Sequence, residues 1–246
     1  TVMDKYTIKD CFRMYGSKTT LQSVKKYIRN ILIKDDCYDI DMKNCCYSIV
    51  KYIIKNYFND SSNKFDLLLD YADNREKYYT QKFDKQAWIS VLFSKNPSSW
   101  CNGELYAPST NKLINQIHAF QKMTISKKDI FNITDEFKIN PVNQDGSDMS
   151  KIFNFFENKI IQQVIAKYKD NIVAPIFDGV LIKKECDLDV ILNGCNKIGE
   201  PYGVEFLNKE FETSTLYNTI EKVLDADIAG GTGAHHFRSK FKKRFI

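Results

Sequence analysis

Apolar residues recur with a helical period over most of this chain and with a strand-like rhythm in a few short stretches. Leu21, Val24, Tyr27, Ile28, Ile31 and Leu32 fall three and four apart, which predicts a helix over 19–34. Residues 37–42 alternate and predict a strand, and Ile49, Val50, Ile53, Ile54 and Phe58 return to helical spacing over 46–58. Asn59-Asp60-Ser61-Ser62-Asn63 reads as a loop by composition. A charged helical stretch over 64–95 breaks near Gln81 to Asp84 and stops at Asn96-Pro97-Ser98-Ser99. A helix over 108–122 carries Pro108 in its first turn, where the missing amide hydrogen costs nothing, and a polar irregular segment spans 124–146.

Met149, Ile152, Phe153, Phe156, Ile160, Ile161, Val164 and Ile165 mark the buried face of a long helix from Ser147 to Tyr168. Residues 171–183 read as an apolar hairpin turning at Phe177-Asp178-Gly179, since Asp-Gly is a strong turn signal. A helix over 187–198 and a strand over 202–211 follow, and no internal repeat is visible. This order predicts an α+β fold: a small antiparallel sheet backed by helices, with a mostly helical subdomain inserted between its first strand and its hairpin. The divisions are 1–58 for the first helices and strand, 59–142 for the insertion, 143–227 for the long helix, hairpin and following helix and strand, and 228–246 for a basic tail.

Composition narrows the class. At 246 residues, 43% hydrophobic, with 17 Phe and 14 Tyr, the chain has the makings of a substantial core, which argues against disorder. No apolar run approaches the roughly 20 residues that a spanning helix needs, so no membrane partner is expected. The chain opens on Thr rather than Met, as a fragment or a trimmed or cleaved chain would. A net charge of +5 allows a polyanionic partner without requiring one. The seven cysteines form no CxxC pair and sit mostly in apolar segments, which reads as reduced thiols in a cytoplasmic or nuclear setting. The abundance of Lys, Ile, Asn and Tyr points to an AT-rich source.

The candidate chemistry lies in two aspartates on separate apolar stretches. Asp41 ends Cys37-Tyr38-Asp39-Ile40-Asp41-Met42, and Asp178 sits at the bend of Ile176-Phe177-Asp178-Gly179-Val180. Carboxylates aimed from two strands at one point are what a pair of Mg²⁺ or Mn²⁺ ions requires, which directs attention to phosphoryl or nucleotidyl transfer. Asp39 shares a strand face with Asp41 and is a third metal ligand or an acceptor for a core arginine. Arg75, Lys77, Lys82 and Lys85 supply cations on the charged helical stretch, and Arg29 and Arg75 are further candidates for positioning phosphates. His118 has no partner at metal spacing. His235, His236 and Gly230-Gly231-Thr232-Gly233 make no ligand or phosphate-loop pattern, and the tail run Arg238, Lys240, Lys242, Lys243, Arg244 reads as a solvated end or a phosphate contact.

The run Asp41-Met42-Lys43-Asn44-Cys45-Cys46-Tyr47-Ser48-Ile49 resembles motif A of palm-domain polymerases, in which a strand ends in a metal-binding Asp and turns into a helix. Asn143-Gln144-Asp145-Gly146-Ser147-Asp148-Met149 is similar to the segment before the last palm helix of phage-type single-subunit RNA polymerases and polymerase I family DNA polymerases. Ile176-Phe177-Asp178-Gly179-Val180 resembles their motif C, without its usual His. Lys85 with Ala87-Trp88-Ile89-Ser90-Val91-Leu92-Phe93-Ser94 resembles motif B, without its glycine. The wider pattern is similar to replication proteins of large DNA viruses and plasmids, in which such a palm precedes a helicase.

The resemblance covers roughly residues 25 to 210. It implies a template-dependent nucleotidyltransferase, a DNA or RNA polymerase or primase-like enzyme. Asp41 and Asp178 would be catalytic metal ligands, and Lys85, Arg75 and Lys82 would meet the incoming triphosphate. It implies template, primer, nucleoside triphosphates and a helicase or further domains as partners. Cys46, five residues after Asp41, is small enough there to admit a 2′-hydroxyl. Two other readings stay open: a non-catalytic palm that binds nucleic acid or a helicase, and a DxD phosphatase, glycosyltransferase or nuclease.

Overall fold

A computed structural model describes residues 6–8, 14–16, 20–58, 62–96, 108–131 and 143–211. The Gly230–Gly233 run, His235, His236, the basic tail, Cys11 and Cys101 lie outside the described residues. Two short strands, β1 (Tyr6–Ile8) and β2 (Met14–Gly16), pair antiparallel and precede α1 (Lys26–Ile33). The chain continues through β3 (Cys37–Met42), α2 (Cys45–Tyr57), α3 (Asp66–Asn74), α4 (Lys85–Leu92), α5 (Pro108–Ile125) and α6 (Gln144–Tyr168). A hairpin of β4 (Ile172–Ile176) and β5 (Gly179–Lys183), then α7 (Leu188–Gly199) and β6 (Phe206–Lys209), complete it. The fold is α+β, with two small antiparallel sheets.

The larger sheet has strand order β4-β5-β3-β6 and is antiparallel throughout. Its two faces follow from strand alternation. Ile40 and Met42 of β3, Val180 and Ile182 of β5 and Phe206 of β6 enter one large core. Helices α2, α6 and α7 join that core, and so do Leu68, Tyr71, Trp88, Leu113 and Phe120 from the helices of 62–131. The intervening positions point the other way. There Cys37, Leu181, Val173, Ala174 and Ile176 are covered by Leu32 and Ile33 of α1, with Leu21 and Tyr6. Asp39 and Asp41 share this second face.

Several boundaries differ from the pattern-based expectation, each for a local reason. The 19–34 helix divides into a 3-10 turn, Leu21–Ser23, and α1, separated by Val24 in an extended conformation. The break near 81–84 is present because Asp84 caps α4, accepting from Ala87 N at 2.8 Å. Within the span read as irregular, α5 runs on to Ile125 and Lys128–Phe131 forms a 3-10 turn. Helix α6 begins at Gln144 rather than Ser147, because the Asn143 side chain accepts from Gly146 N at 3.1 Å. The last strand shrinks to Phe206–Lys209, since Glu200–Tyr202 is a 3-10 turn closed by Gly203 at φ 64.

Helix α4 is fixed at its C-terminal end by direct contact with its neighbours. Asn143 Nδ2 donates to Phe93 O at 3.1 Å, and a Cβ on Gly146 would stand 2.1 Å from that same carbonyl. Gln121 of α5, only 2% exposed, donates to Leu92 O at 2.7 Å and to Ser94 O at 2.9 Å. These are carbonyls that a helix end leaves without partners in the helix itself. Gln121→Leu removes their donor while keeping the bulk, and is expected to cost about 1–3 kcal/mol of stability. A shift of the urea midpoint checks this; an unchanged midpoint would show that α4 does not need this cap.

Candidate functional site

β3 carries Asp41 to the turn of the β4–β5 hairpin. Asp41 stands opposite Gly179 in the β3–β5 register, and one residue on, Met42 N donates to Asp178 O at 3.1 Å. The hairpin turns through Phe177 and Asp178 alone, with Phe177 at φ 51 and 40% exposed. Left-handed backbone at a bulky residue costs on the order of 1–3 kcal/mol, a strain that collects at functional turns. Gly179 is required by close approach: a Cβ there would lie 2.6 Å from Ile40 O and 3.0 Å from Asp41 Oδ1. Lacking that atom, the hairpin seats directly against the backbone that carries Asp41.

Asp39, Asp41 and Asp178 border one cavity of about 410 Å³, together with Arg29, Lys85 and Lys209. Asn44, Cys45 and Cys46 close it from the strand-to-helix turn and the first turn of α2. Lys85 is the first residue of α4, and Ile89, one helical turn on, lines the same cavity. The opposite side of α4 is core: the Tyr47 hydroxyl of α2 donates to Trp88 O at 2.7 Å, tying the two helices together beside Cys46.

The charges are coupled. The Asp39 carboxyl is pushed up to about 6, first by burial and then by the negative charge of Asp41, with Lys209, Arg29 and Lys26 pulling the other way. Burial lowers the Arg29 guanidinium from its ordinary value, and Asp39 opposes that. Lys209 of β6 donates to Asp41 Oδ2 at 3.0 Å. Burial draws its ammonium down, but this hydrogen bond and the charges of Asp41, Asp39 and Asp178 leave it above its ordinary value. The Cys45 thiol is raised well above its ordinary value by burial, then by Glu157, Cys46, Asp178 and Asp41. A thiol so protonated is no nucleophile.

Asp39, Asp41, Asp178 and Lys85 are thus brought together, with Arg29 and Cys46 beside them. Arg75 is one step removed. It pairs with Glu76 at 2.9 Å and donates to Asn44 Oδ1 at 3.3 Å, while Asn44, at φ 50, donates to Ala72 O at 3.0 Å. Arg75 therefore buttresses the strand-to-helix turn and does not line the cavity. Lys82 is exposed in the turn before α4 and is not a lining residue either. His118 sits on α5, its imidazole lowered by burial and by Lys122. Lys209, Lys26 and Gln22 line the cavity without having been marked in the sequence. Lys209 falls within the strand expected over 202–211, but the sequence does not name that strand's neighbour.

Among the described residues, no three His, Cys, Asp or Glu side chains form a group able to hold a metal ion by themselves. Mg²⁺ needs no closed protein cage, since it keeps several waters and takes one or two carboxylates plus substrate phosphates. Asp41 and Asp178, on the strand and the hairpin that border one cavity, are hard oxygen donors of that kind. No family model, curated protein or solved structure matches the chain.

Gly179→Ala is expected to lower stability by about 1–3 kcal/mol, because the new methyl meets backbone that cannot yield. Thermal unfolding measures this, and an unchanged melting temperature would mean that the hairpin does not sit this close to β3.

Proposed function

We propose that this chain is a template-dependent nucleotidyltransferase whose Asp41 and Asp178 hold divalent ions against the incoming nucleotide. The observation that carries the reading is the convergence of these carboxylates, from a strand end and a hairpin turn, on one cavity with cationic walls. Mg²⁺ or Mn²⁺ bound there would lower the pKa of an attacking hydroxyl and neutralise the phosphates. The four-stranded antiparallel sheet, backed by α2, α6 and α7 on one face and by α1 over part of the other, serves as the palm, and the helices of 62–131 serve as fingers.

Each wall of the cavity has a role in this reading. Lys85 meets the triphosphate as a point charge from the first turn of α4. The amide ends of α2, at Cys45 and Cys46, favour an anion on the same side. Cys46 presents a small side chain where the sugar would rest. Phe177, exposed at the tip of the hairpin, offers an aromatic face to a base. Asp39, coupled to Arg29 and Lys26 on the α1 side, holds those cations near the path of a nucleic-acid strand. A dehalogenase-type phosphatase loses support here, because it would need a parallel sheet and this one is antiparallel throughout.

The test is incorporation of labelled ribo- and deoxynucleotides on primed and unprimed templates with Mg²⁺ or Mn²⁺. Asp41→Ala and Asp178→Ala are each expected to lose at least about a thousandfold in rate, the worth of several kcal/mol of charge stabilisation, while still melting cooperatively. Incorporation at the wild-type rate by either folded variant contradicts the assignment. So does a folded wild type that incorporates nothing under all these conditions.

A further inference from the structure

We propose that Lys209 is the resident counter-cation of the site: its ammonium holds Asp41 until a divalent ion arrives, and must leave that carboxylate for the ion to be held. The inference rests on the metal-binding reading of Asp41 and Asp178 given above.

Strand register explains how one lysine comes to serve this cluster. In the β3–β6 pairing Lys209 stands directly opposite Asp39, and Leu207 opposite Asp41, so all four side chains share the second sheet face, the one that carries the cavity. Lys209 reaches across the diagonal to Asp41 Oδ2 at 3.0 Å. Asp41 Oδ1 lies on the other side, against the place where Gly179 lacks a Cβ. The ammonium therefore occupies the oxygen that faces away from the hairpin.

Asp41, Asp39 and Asp178 all act on this one charge. Two other ion pairs differ in setting: Lys43–Glu205 and Lys112–Asp66 join side chains about half exposed or more, at the outer surface. Such pairs contribute little. Lys209 instead compensates carboxylates that would otherwise repel one another across a partly buried cavity. It is also able to withdraw. Its side chain is 39% exposed against 20% for Asp41, and it stands on an edge strand whose far side carries no further strand among the described residues. Rotating the flexible stem carries the ammonium to solvent without disturbing the sheet.

A divalent ion taking Asp41 Oδ1, on the side of the hairpin and Asp178, would be repelled at short range by the ammonium on Oδ2 and would drive it from the carboxylate. Removing the ammonium while keeping the apolar stem, as in Lys209→Met, is expected to tighten Mn²⁺ binding by about tenfold, the size of the repulsion between a divalent ion and a unit charge some 5 Å away in water. The readouts are Mn²⁺ titration of the full chain, without nucleotide, and melting in EDTA and in Mn²⁺. Lys209→Met should melt below wild type in EDTA and gain more from Mn²⁺ than wild type does. Lys209→Arg keeps the charge and should bind Mn²⁺ no more tightly than wild type.

Unchanged or weaker Mn²⁺ binding by folded Lys209→Met overturns the proposal, as does equal tightening in Lys209→Arg. If the Met variant does not fold, Lys209→Gln is measured with the same expectation. Failure of both to fold also overturns it, because a counter-ion that must leave is not one the fold requires. Wild type that binds no Mn²⁺ overturns the metal reading and this inference with it. Binding that is lost in Asp41→Ala yet untouched by Lys209→Met overturns the counter-cation alone.

Discussion

The pairing of Asp41 with Gly179 across β3 and β5 is the constraint on which the rest of the site depends. A slip of one residue in that register would turn Asp39 and Asp41 into the large core and Ile40 out into the cavity. The register is held from both faces. Ile40, Met42, Val180 and Ile182 must face α2 and α6, while Cys37 and Leu181 must face α1. Gly179 then allows backbone-to-backbone approach at the one point where a side chain would separate the hairpin from Asp41.

From that pairing the electrostatics follow. Carboxylates gathered on one face repel, and the protein answers with cations from separate elements: Arg29 and Lys26 from α1, Lys85 from α4 and Lys209 from β6. Each of these elements is anchored by contacts that have nothing to do with charge. Helix α4 illustrates this, because the Tyr47 bond to Trp88 O and the Gln121 cap fix the helix that begins with Lys85. The core thus determines where the charges stand, and the charges determine which ligands the cavity takes. In the proposed function, such a cavity would take an anionic substrate that brings its own metal ligands.

Much of this was legible in the chain. Alternation over 37–42 put Asp39 and Asp41 on one face, and Asp-Gly after an apolar run located the hairpin turn. The long amphipathic pattern of α6 and the break before α4 were equally plain. Where reading along the chain failed, the deciding contact was non-local. Gly146 looks like a loop residue, yet it lies in the first turn of α6: Asn143 caps the helix ahead of it, and the close approach to Phe93 O leaves no room for a side chain. Arg75 and Lys85 read alike as cations on one charged stretch. Arg75 opens a 3-10 turn and Lys85 opens a new helix, and so one braces Asn44 while the other reaches the cavity. Lys209 escaped notice because the neighbour of an edge strand is set by topology. The three-residue strands β1 and β2 are too short to leave a period in the sequence.

Whether Asp41 and Asp178 form one metal site is read directly by anomalous scattering from crystals soaked in Mn²⁺ with a non-hydrolysable nucleoside triphosphate. If they do, a peak stands within coordination distance of both carboxylates, with the phosphates on the Lys85 side and the Lys209 ammonium displaced from Asp41. A fully occupied nucleotide with no peak between the two aspartates, or with Lys209 still seated on Asp41, would contradict this assignment.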